Sequence, residues 1–138
     1  MVVLAIVAIG AGLISLAIRD PAETRLENEA ARLVALLEIA RSEARAAGLS
    51  AMWIPAVDTP SPGFRFVGLP AALALPTRWL DERVSAQVVG APGVTLGPEA
   101  ILPPQRVVLR LEDRRLEVGS DGLAAFAVLP TAADGARP

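Results

Sequence analysis

Only a few types of side chain in this sequence could perform chemistry: carboxylates, arginines and hydroxyls. The chain has no histidine, cysteine or tyrosine, and all 13 of its basic residues are arginines. It therefore lacks the commonest general base and the commonest metal ligand, and disulfides and cysteine nucleophiles are excluded. The composition predicts no catalytic residues, no cofactor-binding residues and no metal ligands, and hence a protein that is not an enzyme.

Two adjacent pairs of acidic residues are the remaining candidates for acid or base catalysis. They are Asp81 with Glu82, and Glu112 with Asp113. Neighbouring side chains on a strand or turn point away from each other, so neither pair forms a site in which two carboxylates converge. We predict that these carboxylates are solvated.

A single basic doublet, Arg114-Arg115, is the strongest candidate for a nucleic-acid contact. It is flanked by Glu112, Asp113 and Glu117, and the whole chain has a formal net charge of -2. Proteins that bind nucleic acid through the phosphate backbone are usually basic. The sequence therefore disfavours nucleic acid as a partner.

The N-terminal run Met1 to Ile18 contains no charged residue. As a helix it would extend about 27 Å, close to the roughly 30 Å of a bilayer's hydrocarbon core. We predict that residues 1–19 form a transmembrane segment. Its predicted apolar contacts are Val2, Val3, Leu4, Ala5, Ile6, Val7, Ala8, Ile9, Leu13, Ile14, Leu16 and Ile18.

Two other interpretations of this run remain open. Ser15-Leu16-Ala17 fits the small-x-small pattern that precedes a signal-peptide cleavage site, although no basic region comes before the apolar run. A buried core helix is the second alternative, whereas a helix on the surface of a soluble domain would show a polar stripe, and here Ser15 stands alone.

Helix signals continue directly beyond the apolar run, over residues 20–48. Asp20 can cap a helix, Pro21 suits the first helical position and could kink a continuous helix, and Glu23 lies three residues after the cap. Gly48 can end the helix. The apolar and amphipathic halves together predict one long helix of about 45 residues, or about 65–70 Å.

The amphipathic half has a regular apolar stripe with charges at its edges. Glu27, Arg41 and Arg45 are predicted outside the stripe, and Arg25–Glu29 and Glu38–Arg41 are spaced for ion pairs. The stripe itself consists of Leu26, Ala30, Leu33, Leu37, Ala40 and Ala44, which recur every three or four residues.

Residues 49–130 predict an antiparallel β domain, and residues 131–138 a disordered tail. The clearest predicted hairpin has its turn at Glu112–Arg114. Alternation along its first strand places Val107, Leu109 and Leu111 on the face toward the helix. The fold class is thus α+β. Predicted strands are Ala51–Val57, Phe64–Gly68, Val84–Val89, Arg106–Leu111, Arg115–Val118 and Leu123–Leu129, followed or separated by turns that include Gly119–Gly122.

Aromatic and proline residues add three local predictions. Trp53, Phe64, Phe66 and Trp79 are expected in the core rather than at an interface. Trp79-Leu80 should anchor the irregular segment from Leu69 to Arg83 by packing. Pro55 inside the first strand indicates an edge position or a break.

An apolar helix that continues into an amphipathic helix and a small β domain resembles the type IV pilin superfamily. The run Val2 to Ile9 looks like the continuation of a prepilin signature. The segment Arg25 to Ala44 is similar to the H-type minor pseudopilins of type II secretion and to the related FimT-like minor pilins, and Asp121-Gly122 before an apolar strand fits the same group.

The chain departs from this family in one respect. The basic residue, the Gly and the Phe-Thr-Leu motif around the cleavage point, and the glutamate after them, are not present before the apolar run. No processing site is therefore assigned within the sequence. We expect the gene to encode roughly a dozen further residues upstream of Met1, and in-frame translation of the upstream DNA tests this expectation.

The resemblance implies a minor pseudopilin, cleaved and methylated by the prepilin peptidase, with one inner-membrane span and a periplasmic β domain. The implied partners are major and minor pseudopilins, the prepilin peptidase, the inner membrane and exported proteins. The implied role is assembly into a periplasmic pseudopilus, at or near its tip, that drives protein export, and residues 1–19 would then also form part of the filament core. Two alternatives stay open: a FimT-like minor pilin of pilus assembly or DNA uptake, and a generic tethered periplasmic domain.

Overall fold

A computed structural model describes residues 21–56 and 63–130 of the chain. Within these ranges there is one α-helix and two antiparallel sheets, which confirms the α+β prediction. Predictions for residues 1–20, for Val57 and for the tail 131–138 lie outside the described residues. The helix α1 is Pro21–Ala47, and the strands are β1 Ala51–Pro55, β2 Phe64–Val67, β3 Ser85–Val88, β4 Val94–Gly97, β5 Gln105–Leu111, β6 Arg114–Ser120 and β7 Ala127–Leu129.

The C-terminal end of α1 follows from local sequence. Pro21 is the first described helical residue, and Glu23 lies in the first described turn. At the other end Gly48 has a φ of 65°, and the Leu49 amide donates to the Ala44 carbonyl at 2.8 Å. This arrangement is a Schellman motif, so Gly48 ends the helix as predicted. Asp20 and any bend before Pro21 lie outside the described residues.

The predicted stripe of α1 is the centre of the core. All six of its members are buried, and Leu26 and Leu37 have no exposed surface. The alanines of the stripe let the sheets approach the helix closely: a Cβ on Gly97 of β4 would lie 3.0 Å from the Ala44 Cβ. The same helix packs on strands of both sheets, which joins them into one core.

The three-stranded sheet has the order β2-β1-β4. Strand β4 was not predicted, because its four residues lie between Pro- and Gly-rich turns and resemble a loop in sequence. Its Val94 and Leu96 are fully buried. Strand β1 ends at Pro55, earlier than predicted, and this is the break that the proline indicated. The alternative of an edge position was wrong, because β1 is the central strand; Pro55 is tolerated there since it pairs only with Phe64 of β2, and the pairing with β4 reaches no farther than Trp53.

The four-stranded sheet has the order β3-β5-β6-β7. Val107, Leu109 and Leu111 of β5 are fully buried against the helix side, as predicted. Leu111 pairs with Arg114, so the hairpin turn contains two residues rather than the predicted three. The predicted turn from Gly119 was also misplaced, since β6 extends through Ser120.

The predicted strand Leu123–Leu129 was wrong over its first half. Only Ala127–Leu129 pairs with β6, and the preceding residues form a loop. The reason is a set of hydrogen bonds from α1 to this loop, which use backbone groups that a strand would need for its ladder.

An aromatic cluster closes the core beneath the irregular segment before β3. Trp53, Phe64 and Trp79 are buried, and the Phe64 and Trp79 ring centroids lie 4.7 Å apart. Phe66 is half-buried and meets Phe64 edge to face at 6.1 Å. The prediction that these four residues belong to the core is confirmed.

Candidate functional site

Two charged residues of α1 are buried on its core side and hold loops of the β domain. Glu29 is 1% exposed and Arg41 is 3% exposed. Arg41 was predicted outside the apolar stripe, and that prediction was wrong, because its guanidinium finds backbone acceptors inside the fold. We refer to Arg41 with Gly122 and Ala124 as the Arg41 clip, and to Glu29 with Leu80 as the Glu29 clip.

The Arg41 clip joins the C-terminal half of α1 to the loop before β7. Arg41 Nη1 donates to the Ala124 carbonyl at 3.0 Å, and Nη2 donates to the Gly122 carbonyl at 3.2 Å. The guanidinium also lies over the Phe126 ring, 5.9 Å from its centroid. A planar, forked donor can hold two carbonyls at once, which a lysine cannot do with the same geometry.

Glu38 adds a third contact from the same helix. Its Oε2 accepts from the Phe126 amide at 3.1 Å and lies 3.8 Å from Arg41 Nη1. The predicted Glu38–Arg41 pair is therefore confirmed, although its main consequence is to hold the loop rather than to stabilise the helix.

The loop before β7 is also stabilised by hydrogen bonds from its own side chains. Asp121 Oδ1 accepts from the amides of Leu123 and Ala124, each at 2.9 Å, and these bonds lower the pKa of Asp121. Ser120 Oγ donates to the Ala124 carbonyl at 2.7 Å and accepts from the Gly122 amide at 3.0 Å. Gly122 has a φ of 98°, and a Cβ there would overlap the Leu102 carbonyl oxygen, so the position requires glycine.

The Glu29 clip joins the N-terminal half of α1 to the loop before β3. Glu29 Oε1 accepts from the Leu80 amide at 2.8 Å, while the buried Oε2 has no hydrogen-bond partner. Burial raises the pKa of Glu29, against the lowering effects of the Leu80 amide and Arg32. The predicted Arg25–Glu29 pair was wrong, because Glu29 turns inward and Arg25 Nη1 instead lies 3.5 Å from Asp81 Oδ2.

Arginine side chains form ion pairs and a hydrogen bond around the loop before β3. Arg83 lies 2.9 Å from Asp81 and 2.6 Å from Glu112, and Arg32 Nη1 donates to the Arg78 carbonyl at 2.9 Å. Hydrogen bonds from Arg83 lower the pKa of Asp81 to about 2. The expectation of a solvated carboxylate was thus wrong for Asp81, which is engaged by two arginines.

The other three acidic side chains of the two pairs lie at the surface. Glu82, Glu112 and Asp113 are exposed, as predicted, and Glu112 meets Arg83 there. The structure therefore brings together one member from each acidic pair, through an arginine, and forms no shared carboxylate site. Within residues 21–56 and 63–130 there is no group of His, Cys, Asp or Glu residues that could hold a metal.

The basic doublet is partly neutralised by its neighbours. Arg115 Nη2 lies 3.4 Å from Glu117 Oε2, and Arg106 Nη1 lies 3.4 Å from Glu117 Oε1. Glu117 is buried, so its charge is fixed between these two arginines. This arrangement reduces the positive potential that a phosphate backbone would meet.

Each clip holds a loop from which an apolar side chain projects. Leu80 is 70% exposed and Leu123 is 71% exposed. Trp79 anchors its loop by packing as predicted, but Leu80 does not, since its side chain points away from the core. Ile101, also 70% exposed, lies on the neighbouring loop, where the Leu102 amide donates to the Gly122 carbonyl at 3.2 Å.

The sequence did not predict these clips, because helical periodicity indicates which face of the helix a residue occupies but not which residues of the β domain contact it. The one available signal was the position of Glu29 and Arg41 within a turn of buried stripe residues. The geometry provides two loops that are hydrogen-bonded to α1 and from which the apolar side chains of Leu80 and Leu123 project.

No protein-family model, no curated protein and no solved structure matches this chain. Among the described helical residues there is no helix long and apolar enough to span a bilayer.

Proposed function

We propose that this chain is a minor pseudopilin of a type II secretion system. It is held in the inner membrane by its N-terminal apolar segment, with the β domain in the periplasm, and it joins the pseudopilus at or near the tip. Its partners are major and minor pseudopilins, the prepilin peptidase that processes it, and exported proteins.

The observation that carries this proposal is the junction between the apolar run and the domain. The uncharged run ends at Ile18, and α1 is already helical at Pro21, with no linker of the usual length between them. The helix that follows is also the central core helix on which both sheets pack. A generic tether is normally separated from its domain by a flexible segment, so this arrangement favours a subunit whose anchor and domain move as one piece.

A filament role explains how an apolar segment could leave the lipid. In the membrane its side chains are satisfied by acyl chains, and in a filament by the equivalent segments of neighbouring subunits. Small residues permit close approach of such segments, and Ala5, Ala8, Gly10, Ala11 and Gly12 provide them here.

The surface charges favour a protein-assembly role over DNA uptake. Arg115 and Arg106 share the buried Glu117, and Arg83 is held by Asp81 and Glu112. We therefore expect the domain to contact proteins rather than phosphates.

Site-specific photo-cross-linking in cells that express the secretion system tests the proposal. A photoreactive amino acid at Val7 of the full chain should form adducts with other pseudopilins, because Val7 would lie among neighbouring apolar helices. The control position is Ala46, which is exposed at the far end of α1. Absence of pseudopilin adducts from Val7, with the chain present in the membrane, would favour a generic tethered domain.

A deletion strain separates secretion from a pilus role. Loss of exported enzymes from the medium with surface pili intact supports the proposal. Loss of pili or of DNA uptake with normal export would instead assign the chain to the FimT-like minor pilins.

A further inference from the structure

A cavity of about 680 Å³ lies between the N-terminal half of α1 and the loop before β3. The helix contributes Arg25, Asn28 and Glu29 to its wall, and the loop contributes residues 80–83. Glu29 is the only one of these residues that is buried, whereas the others are exposed or half-buried. The inner part of the wall therefore belongs to Glu29.

The Glu29 carboxylate has an unused acceptor. Oε1 accepts from the Leu80 amide at 2.8 Å, while the enclosed Oε2 has no hydrogen-bond partner among the described residues. Burial raises the pKa of Glu29, because the Leu80 amide and Arg32 offset the desolvation only in part. A buried polar atom without a partner is costly, so a donor that reached Oε2 from outside the domain would be stabilised there.

Arg25 lines the same cavity and pairs with Asp81 instead of Glu29. It lies one helical turn before Glu29, and its Nη1 is 3.5 Å from Asp81 Oδ2. The Arg25 side chain is 55% exposed, and an exposed ion pair of this length contributes little to stability. Asp81 has a shorter contact of 2.9 Å with Arg83, which does not depend on Arg25. Arg25 can therefore leave the cavity at little cost, and a stronger donor can take its place.

The arrangement of oxygens favours an ammonium group over a guanidinium group. Asp81 is close enough to Glu29 to raise the pKa of Glu29 through its charge. The Leu80 amide occupies Oε1 of Glu29, and the amide and Nε of Arg83 occupy Oδ1 of Asp81. Neither carboxylate therefore presents two free oxygens to a planar, bidentate donor. An ammonium group has three donors that point in different directions, so it can bind one oxygen of each carboxylate.

We infer that this cavity binds a primary alkylammonium group between Glu29 Oε2 and Asp81 Oδ2. The exposed Leu80 side chain in the cavity wall provides apolar surface for the attached carbon chain. Arg25 competes with the ligand for Asp81. The ammonium group belongs either to a small amine or to a lysine side chain of another protein. The inference does not depend on the proposed function, since it rests on the cavity alone.

NMR titration of the isotope-labelled full chain, in nonionic detergent micelles, with n-butylammonium chloride tests the inference. Sodium chloride keeps the ionic strength constant. The amide signal of Leu80 should shift and saturate, with a Kd on the order of 1 mM for so small a ligand. Glu29→Gln should weaken binding about tenfold or more, because the amide can still accept from Leu80 but carries no charge. Arg25→Met should instead strengthen binding about two- to fivefold, because it removes the competing cation.

The matched control is Glu82→Gln. Glu82 is an exposed carboxylate in the same cavity wall, and its loss should change the affinity less than about twofold. A dispersed amide spectrum shows that each variant is folded. If Glu29→Gln does not fold, the gain from Arg25→Met and the Glu82 control still decide the question.

Five results would each overturn the inference. They are the absence of a saturable shift at Leu80, no gain from Arg25→Met, a loss from Glu82→Gln as large as that from Glu29→Gln, an equal response to tetramethylammonium, and tighter binding of ethylguanidinium or Ca²⁺. Tetramethylammonium is informative because it has the charge but no N–H donor.

A further ligand identifies the source of the ammonium group. Binding of Nα-acetyl-lysine methylamide as tightly as n-butylammonium supports a lysine side chain of another protein. Binding of n-butylammonium alone supports a small amine.

Discussion

Glu29 carries a carboxylate that is enclosed by the fold and only half satisfied. One oxygen accepts from the Leu80 amide, and the other has no partner. Because burial raises the pKa of Glu29 above 4.5, the folded chain binds a proton more tightly than the unfolded chain does. The contribution of Glu29 to stability is therefore lost as the pH rises above 4.5 and through the folded-state pKa.

Glu29→Gln should flatten the pH dependence of the free energy of unfolding above pH 4.5. The amide oxygen can still accept from Leu80, and the ionisable group is gone. Denaturant unfolding of the purified chain at a series of pH values measures the slope. Glu43→Gln on the same helix is the control, and an unchanged slope in the Glu29 variant would contradict the prediction.

Asp81 has the opposite effect on the pH dependence of the free energy of unfolding, and it has this effect at lower pH. Its pKa is lowered to about 2 by Arg83, so its stabilising contribution is present above its ordinary value of 3.8 and is lost as the pH falls toward 2. Asp81→Asn should therefore weaken acid sensitivity in this window, although it removes the ion pairs with Arg25 and Arg83. The same unfolding measurements below pH 4 check this expectation.

At the scale of an element, α1 does more than fill the core, because it fixes the loop before β7. Arg41→Met keeps the apolar bulk of the side chain but removes the donors to Gly122 and Ala124. We expect a loss of about 1–3 kcal/mol, since both carbonyls keep a second donor, Leu102 N and Ser120 Oγ. Amide hydrogen exchange should accelerate in residues 121–126.

Arg45→Met provides the control for the Arg41 variant, because Arg45 is exposed on the same helix. Its effect should stay within about 0.5 kcal/mol. Equal exchange rates in residues 121–126 of both variants would show that the Arg41 clip does not hold the loop.

Two glycines with positive φ provide a second test at this scale. A Cβ at Gly122 meets the Leu102 carbonyl, whereas a Cβ at Gly90 meets nothing within 4 Å. Gly90→Ala should cost only the unfavourable backbone conformation, about 1–2 kcal/mol. Gly122→Ala should cost about 2–5 kcal/mol, because the loop from Ile101 must also move. Equal melting temperatures of the two variants would contradict this difference.

At the scale of the molecule, small residues set the distance between α1 and the three-stranded sheet. Ala44 faces Gly97 so closely that a Cβ on the glycine would lie 3.0 Å away. Ala44→Leu should therefore destabilise the domain by about 1–3 kcal/mol, through overpacking. Ala46→Leu, at an exposed position two residues on, should change stability by less than about 0.5 kcal/mol. Thermal unfolding distinguishes the two variants. Equal melting temperatures would contradict the close packing of α1 against the three-stranded sheet.

The sequence by itself determined the features that depend on neighbours in the chain. Periodicity placed Leu26, Leu33 and Leu37 on the buried face, Gly48 ended the helix, and alternation placed Val107 and Leu109 toward it, because these patterns follow from helix and strand geometry alone. The residue types excluded thiol and imidazole chemistry outright. The same local pattern gave the expectation of an apolar anchor in residues 1–18, which lies outside the described residues.

Only the tertiary structure decided which groups the buried charged side chains of Glu29 and Arg41 contact. Strand β4 is short, and it is recognisable only once β1 is beside it. The segment at Leu123 has the composition of a strand, but Arg41, more than 80 positions away in sequence, holds its carbonyls in a loop. Glu29 and Leu80 likewise meet across 51 positions. Such contacts depend on how the sheets fold over the helix, which no local pattern encodes, and they are the ones that present Leu80 and Leu123 at the surface.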